Sequence, residues 1–133
     1  MIIRGIEDAP YVLDKYPHER VRRVFLSPEL DPEITDFACG MSEVPPGSQS
    51  DLHVHEGSEM WFCISGRGHI IIGDEIEELR PNMAVWSPGN CKHQLKNDIP
   101  GEKEKFVLLF FLLPPGKEKE IVKEWRQNNP KGR

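Results

Sequence analysis

Long apolar runs are missing from this chain. Its most apolar stretch, FVLLFFLL at residues 106–113, falls well short of the roughly 18 residues a membrane span requires. Positive charge is also in deficit. Seventeen Lys and Arg stand against 22 Asp and Glu, for a net charge of −5, and no basic stripe is present to neutralise phosphate, which argues against a nucleic-acid partner. Cysteine is scarce and odd in number. Cys39, Cys63 and Cys91 cannot all pair within one chain, and their spacing fits no zinc motif, so reduced thiols in a cytoplasmic protein are expected. The opening MIIRGIEDAP has neither the apolar core nor the cleavage site of a signal peptide, which agrees with that expectation. No phosphate loop, dinucleotide fingerprint or Ser-His-Asp spacing competes for the chemistry.

What is present is a succession of short strands. A length of 133 residues predicts one domain, 1–133, large enough for a single core. Residues 1–36 hold the runs IIRGI, YVL and VRRVFL, expected as strands, and the proline-rich loop SPELDPE. His18, among charges in KYPHER, is expected at the surface. From 37 to 113 come FACGMSEV, LHVH, MWFCIS, HIII, EIEEL, AVWS, CKHQLK and FVLLFFLL, separated by Gly, Pro and Asn turns. Strands this short and frequent predict an all-β sandwich or barrel. In FVLLFFLL, Val107, Leu109 and Phe111 share one face and Leu108, Phe110 and Leu112 the other. Both faces are apolar, which predicts a homodimer without saying which face meets the partner. Residues 114–133 read as a short C-terminal helix and tail. Ile121, Val122 and Trp125 share one helical face, and the final residues, 129–133, are expected to fray.

The chemistry concentrates in residues 47–66, GSQSDLHVHEGSEMWFCISG. Side chains on a strand alternate with period two, so His53 and His55 share a face and Val54 points away. Gly57 and Ser58 mark a turn that lets Glu59 begin the next strand facing the same space. Two imidazoles and a carboxylate at one point suit a borderline divalent cation. Residues 82–97, NMAVWSPGNCKHQLKN, offer His93 as a candidate fourth ligand. The same parity turns Trp61 and Cys63 inward with Glu59, and Cys91 and Leu95 inward with His93. These four are the expected substrate pocket, with Trp61 able to stack on a small planar ligand. Asp51 shares a face with His53 and is the one non-ligand acid nearby, a candidate for proton transfer. The N-terminal strands are the other place to look for such a group.

The two stretches resemble the two cupin motifs. Gly47, His53, His55, Glu59 and Gly66 fit the first motif without a gap, and Pro88, His93 and Asn97 fit the second. Both glycines of the second motif are replaced, by Asn82 and Asn90, residues that tolerate a left-handed backbone. The resemblance implies a small jelly-roll barrel (a double-stranded β-helix) with its site inside. It implies one divalent ion (Mn, Fe, Co, Ni, Cu or Zn) held by His53, His55, Glu59 and His93. It gives Asn97 a structural role and claims nothing for His69. Cupins with this ligand set include dioxygenases, decarboxylases, isomerases and lyases. An enzyme acting on a small oxyanionic metabolite is therefore expected, and a non-catalytic sensor of such a ligand is the alternative.

Overall fold

The computed structural model describes residues 1–130. Its strands are β1 (Tyr11–Asp14), β2 (Arg20–Leu26), β3 (Ala38–Val44), β4 (Ser58–Ser65), β5 (Gly68–Ile72), β6 (Glu75–Leu79), β7 (Ala84–Ser87), β8 (His93–Lys96) and β9 (Phe106–Leu113). One helix, α1 (Lys119–Asn128), follows them. The strands form a six-stranded sheet in the order β1-β2-β3-β9-β4-β7 and a three-stranded sheet in the order β6-β5-β8. Neighbouring strands are antiparallel throughout. The two sheets close on one core to which both contribute: Val24, Trp61, Phe106 and Leu108 from the larger, Ile70, Leu79 and Leu95 from the smaller. This is the jelly-roll barrel expected from the sequence, with its helix at the C-terminal end.

The run FVLLFFLL settles into strict alternation. Phe106, Leu108, Phe110 and Leu112 are buried, each contributing roughly 1.5–3 kcal/mol of apolar transfer, while Val107, Leu109 and Phe111 are half-buried on the outer face. Strand β9 lies between β3 and β4, so its inner face sits at the centre of the core. The helix buries Ile121 and Val122 against β1 and β2. Its start is fixed by Glu118, 1% exposed, whose carboxylate accepts from Ser27 Oγ at 2.6 Å and from the Gly116 amide at 2.6 Å. No helix among the described residues is long and apolar enough to cross a membrane.

Two expected strands are not strands. IIRGI gives way to irregular chain and a 3-10 turn at Ile6–Asp8, because Arg4 leaves the sheet direction to form a bidentate pair with Asp31 at 2.9 and 2.9 Å. LHVH makes a single bridge, His53 to His93, since the chain turns away at residues 56–57 before a ladder can extend. Of the tail expected to fray, residues 131–133 lie outside the described residues.

Candidate metal centre

Turn geometry brings the ligand-bearing segments together. Asn82 and Asn90 adopt left-handed backbone, φ 72° and 58°, as Gly47 and Gly66 do at 81° and 69°. The asparagines thus occupy the conformation for which glycine is the usual choice. Asn97 is 1% exposed and donates from Nδ2 to the carbonyls of Val44 and Glu104, both at 2.9 Å. Its backbone pairs with Gly47 and Ser48, so it ties three segments beneath the site rather than serving one local turn.

His53 and His93 exchange backbone hydrogen bonds at 3.2 and 3.0 Å, which sets their rings 4.2 Å apart. His55 is held through its carbonyl, which accepts from Asn90 N at 2.7 Å. Glu59 stands on β4 opposite Ser87 of β7 and Leu112 of β9. The potential ligand atoms of His53, His55, Glu59 and His93 all lie within 4.8 Å of one another. The strand parity argument therefore holds in outcome although residues 53–55 form no strand: Val54 is exposed and both histidines point inward.

The protonation pattern fits a metal. His53 Nδ1 is 3.0 Å from the Asp51 carbonyl, and His93 Nδ1 is 3.1 Å from the Cys91 carbonyl. A carbonyl only accepts, so each Nδ1 carries its hydrogen and each Nε2 presents a lone pair. This is the outer hydrogen bond that orients metal-binding histidines. His93 Nε2 is buried and has no hydrogen-bond partner among the described residues, although Glu59 Oε1 is 3.3 Å away. A buried lone pair without a donor costs on the order of 1–3 kcal/mol unless something fills the space beside it. Burial, reinforced by His93, pulls the His53 imidazole down to about 4, so it is neutral and available as a ligand. His55 Nε2 lies 2.9 Å from Glu59 Oε1, and that bond raises the imidazole above its ordinary range. Burial resists ionisation of Glu59, but the hydrogen bond from His55 and the nearby His93 ring outweigh it and hold the carboxyl below the usual range. Three imidazoles and one carboxylate so arranged could hold a divalent cation.

A cavity of about 300 Å³ opens onto His53, Glu59 and His93. At about 30 Å³ per water it has room for roughly ten water-sized groups. Trp61, Leu95, Phe110 and Leu112 form its apolar wall, with the Trp61 ring 5.0 Å from that of His93. Four acids line it, Asp14, Asp51, Glu59 and Glu120. Four bases balance them, Lys15, Arg20, Arg22 and Lys117.

Of the pocket residues expected from the sequence, Trp61 and Leu95 line the cavity, whereas Cys63 and Cys91 are not among its lining residues. Cys63 points inward as expected but lies one alternation deeper, its Sγ 3.7 and 3.6 Å from the carbonyls of Ser65 and Gly66. Burial pushes its thiol up to about 11. Cys91 precedes β8, so the alternation of that strand does not reach it, and it packs beside Gly73. Asp51 stands at the cavity wall, 3.4 Å from Arg20 Nη2 and 3.5 Å from His53 Nδ1. Burial opposes its charge, but the neighbouring His53 and Arg20 prevail and hold its carboxyl below the ordinary range. His69 is engaged with Asp98 at 2.5 Å and takes no part.

The residues that sequence reading missed come from the ends of the chain. His18, expected at the surface, lines the cavity, and its Nδ1 is buried without a partner among the described residues. Arg20, only 8% exposed, does the same from the start of β2. A signal existed: Arg20, Arg22 and Val24 share a strand face, and Val24 is core.

Comparison with known proteins bears on both fold and site. A dimethylsulfoniopropionate lyase of Ruegeria pomeroyi is 30% identical over 78 residues, covering 59% of this chain and 50% of that protein. A mannose-1-phosphate guanylyltransferase of Sinorhizobium fredii is 35% identical over 60 residues, 44% of this chain but 11% of that protein. The chain thus spans half or less of the length of these curated relatives. Among solved structures, a cupin 2 conserved barrel domain protein from Salinispora arenicola superposes with a TM-score of 0.67 at 20% identity, covering 96% of this chain and 98% of that one. A predicted oxalate decarboxylase from Thermotoga maritima gives 0.70 at 18% identity, covering 86% and 100%. These likenesses establish a shared barrel. Residues 40–118, more than half of the chain and including all four clustered ligand residues, match the family model described as Cupin domain, and the chain belongs to that family.

Proposed function

We propose that His53, His55, Glu59 and His93 hold one divalent ion and that the protein is a cytoplasmic enzyme acting on a small oxyanionic metabolite. The observation that carries this reading is the buried, unpartnered Nε2 of His93 beside Glu59, at the floor of a cavity large enough for a metabolite. The bound ion would supply Lewis acidity, polarising a carbonyl or carboxylate oxygen of the ligand. Trp61, Leu95, Phe110 and Leu112 would exclude water on one side, which strengthens every charge interaction inside. The charged wall on the other side would orient the ligand. The curated relative named as a lyase of a propionate supports lyase-type chemistry on a carboxylate. Decarboxylase, isomerase and dioxygenase reactions belong to the same reading.

The test is turnover. Protein purified without added metal is analysed for bound metal, then offered 2-oxo acids, hydroxy acids, enediols and sugar acids with and without dioxygen. Consumption of one class that stops with chelator and returns with one metal is the expected result. Dependence on dioxygen separates dioxygenase from lyase, isomerase and decarboxylase chemistry. Tight binding of several compounds with none consumed would replace the enzyme by a sensor.

The same reading includes a homodimer. On the outer face of the larger sheet, Met60 stands opposite Trp86 and Phe111, and Phe62 opposite Leu109. Trp86 is 59% exposed. A continuous apolar sheet face suits a second copy related by a two-fold axis. Sedimentation at micromolar concentration should show twice the 15.3 kDa protomer mass, and Trp86→Asp combined with Met60→Asp should return it to the single mass. A wild-type species of 15.3 kDa would refute the dimer.

A further inference from the structure

The cavity has a second pole that the metal ligands do not explain. Arg20 carries five N–H donors and is buried at the cavity wall, yet its guanidinium is poorly satisfied. Its hydrogen bond among the described residues is a long one, Nη2 to Asp51 Oδ1 at 3.4 Å. Asp14 approaches Nε only to 3.5 Å, because both of its carboxylate oxygens already accept from Arg22, at 2.6 and 2.9 Å. Burial, then the charge of Arg22, pulls the Arg20 guanidinium below its ordinary range, as burial does to a cation. His18 lines the same cavity, and its Nδ1 is buried without a partner among the described residues. Both groups come from residues 18–20, outside the stretch that carries the metal ligands.

Resting on the metal reading above, we propose that Arg20, with His18 beside it, is an anion-binding pole and that the cavity takes a small dianion such as a short dicarboxylate. One carboxylate would sit at the His53, Glu59 and His93 side and the other would receive the fork of Arg20. The poles are neighbours, since one oxygen, Asp51 Oδ1, lies 3.4 Å from Arg20 Nη2 and 3.5 Å from His53 Nδ1, on the outer edge of a ligand ring. Charge agrees with this. The four acids and four bases lining the cavity cancel, so a bound divalent ion leaves two positive charges that a dianion would neutralise. Size agrees as well, because a four- or five-carbon diacid has about eight or nine non-hydrogen atoms for a space of roughly ten waters. An arginine fork matches a carboxylate bidentately, in a way that a lysine does not.

The test is calorimetric titration of manganese-loaded protein with succinate and with acetate as the monoanion control. Succinate should bind roughly tenfold to a hundredfold tighter than acetate, the size of a charge-assisted hydrogen-bond pair. Arg20→Gln should bring succinate to the level of acetate while leaving acetate affinity and manganese content unchanged. Arg20→Lys should fall between. Asp51→Asn, which removes the carboxylate competing for Arg20, should raise succinate affinity severalfold, and it tests the pole even if the Arg20 variants fold poorly. If the wild type retains neither manganese nor any of the other five candidate ions, the metal reading has failed. The pole is then read in metal-free protein, where succinate binding should be weaker, salt-sensitive and abolished by Arg20→Gln. Unchanged succinate affinity in Arg20→Gln, or unchanged or weaker binding in Asp51→Asn, overturns the proposal.

Discussion

His55→Ala is expected to strip the protein of metal, taking it from close to one equivalent to less than about a tenth after dialysis, and to abolish turnover. The loss should exceed the tenfold to hundredfold effect of removing an outer hydrogen-bond partner of a ligand, because a ligand itself is gone. His55 is a favourable choice because its side chain touches Glu59 through one 2.9 Å bond and is not among the cavity-lining residues. The backbone bond from Asn90 to its carbonyl survives the substitution. One secondary effect must be separated. Glu59 is only 6% exposed, and losing its hydrogen-bonding partner costs on the order of 1–3 kcal/mol of stability in its own right. His55→Gln controls for this, since an amide can still donate to Glu59 but is a poor ligand. Both variants should lose metal, and only the alanine should melt lower when metal-free. In the wild type, metal at about a hundred times its dissociation constant should add roughly 2.7 kcal/mol of stability, an increment both variants should lack. Metal content equal to wild type in either would remove the basis of the proposed function.

The ligand set was legible because its information is local. His53, His55 and Glu59 fall within seven consecutive residues, and period-two geometry decides which of them converge. His93 required the resemblance, since no local rule says that β8 will lie against residues 49–53. The replaced glycines were legible once the second motif was recognised, because asparagine tolerates the left-handed backbone that Asn82 and Asn90 adopt. The charged wall was not. KYPHERVRR looks like a solvated run because burial of Arg20 depends on groups far away in sequence: Asp51 beside it and α1, which packs on β1 and β2 from the C-terminal end. The cysteines show the limit of parity. It gives the side of a strand but not the depth along it, so Cys63 was placed in the pocket when it lies beneath, and Cys91 lies beyond the end of its strand. The apolar run 106–113 was legible as one strand with two apolar faces, but only the sheet order decides that Leu108, Phe110 and Leu112 are the inner set.

Gly89→Ala is expected to weaken metal binding by about tenfold or more without touching a ligand. Gly89 is not one of the family's motif positions, and nothing in the sequence marks it beyond the turn Pro88-Gly89-Asn90. Its φ is not left-handed, so alanine would meet no backbone penalty of its own. The obstacle is space. A methyl group there would fall inside the contact radius of the Glu56 carbonyl oxygen, and within 2.9 Å of its carbon and 3.3 Å of the Gly57 carbonyl carbon. These are main-chain atoms that cannot swing aside as a side-chain tip would. The turn before β8 and the turn before β4 therefore lie backbone against backbone, pinned by the 2.7 Å bond from Asn90 N to the His55 carbonyl. Relief requires the two turns to part, which lengthens that bond and carries His55 away from Glu59 and His93. A displacement of about 1 Å in a positioned group is commonly worth a hundredfold in function, and constellations tolerate only about 0.5 Å. The accompanying stability loss should be about 1–3 kcal/mol, typical of overpacking. Gly116→Ala is the matched control: an added methyl there meets nothing within 4 Å, so both metal affinity and melting temperature should stay at wild-type values. If Gly89→Ala retains wild-type metal affinity and melting temperature, the two turns do not hold the site in register, and positioning of His55 must come from within residues 47–66 alone.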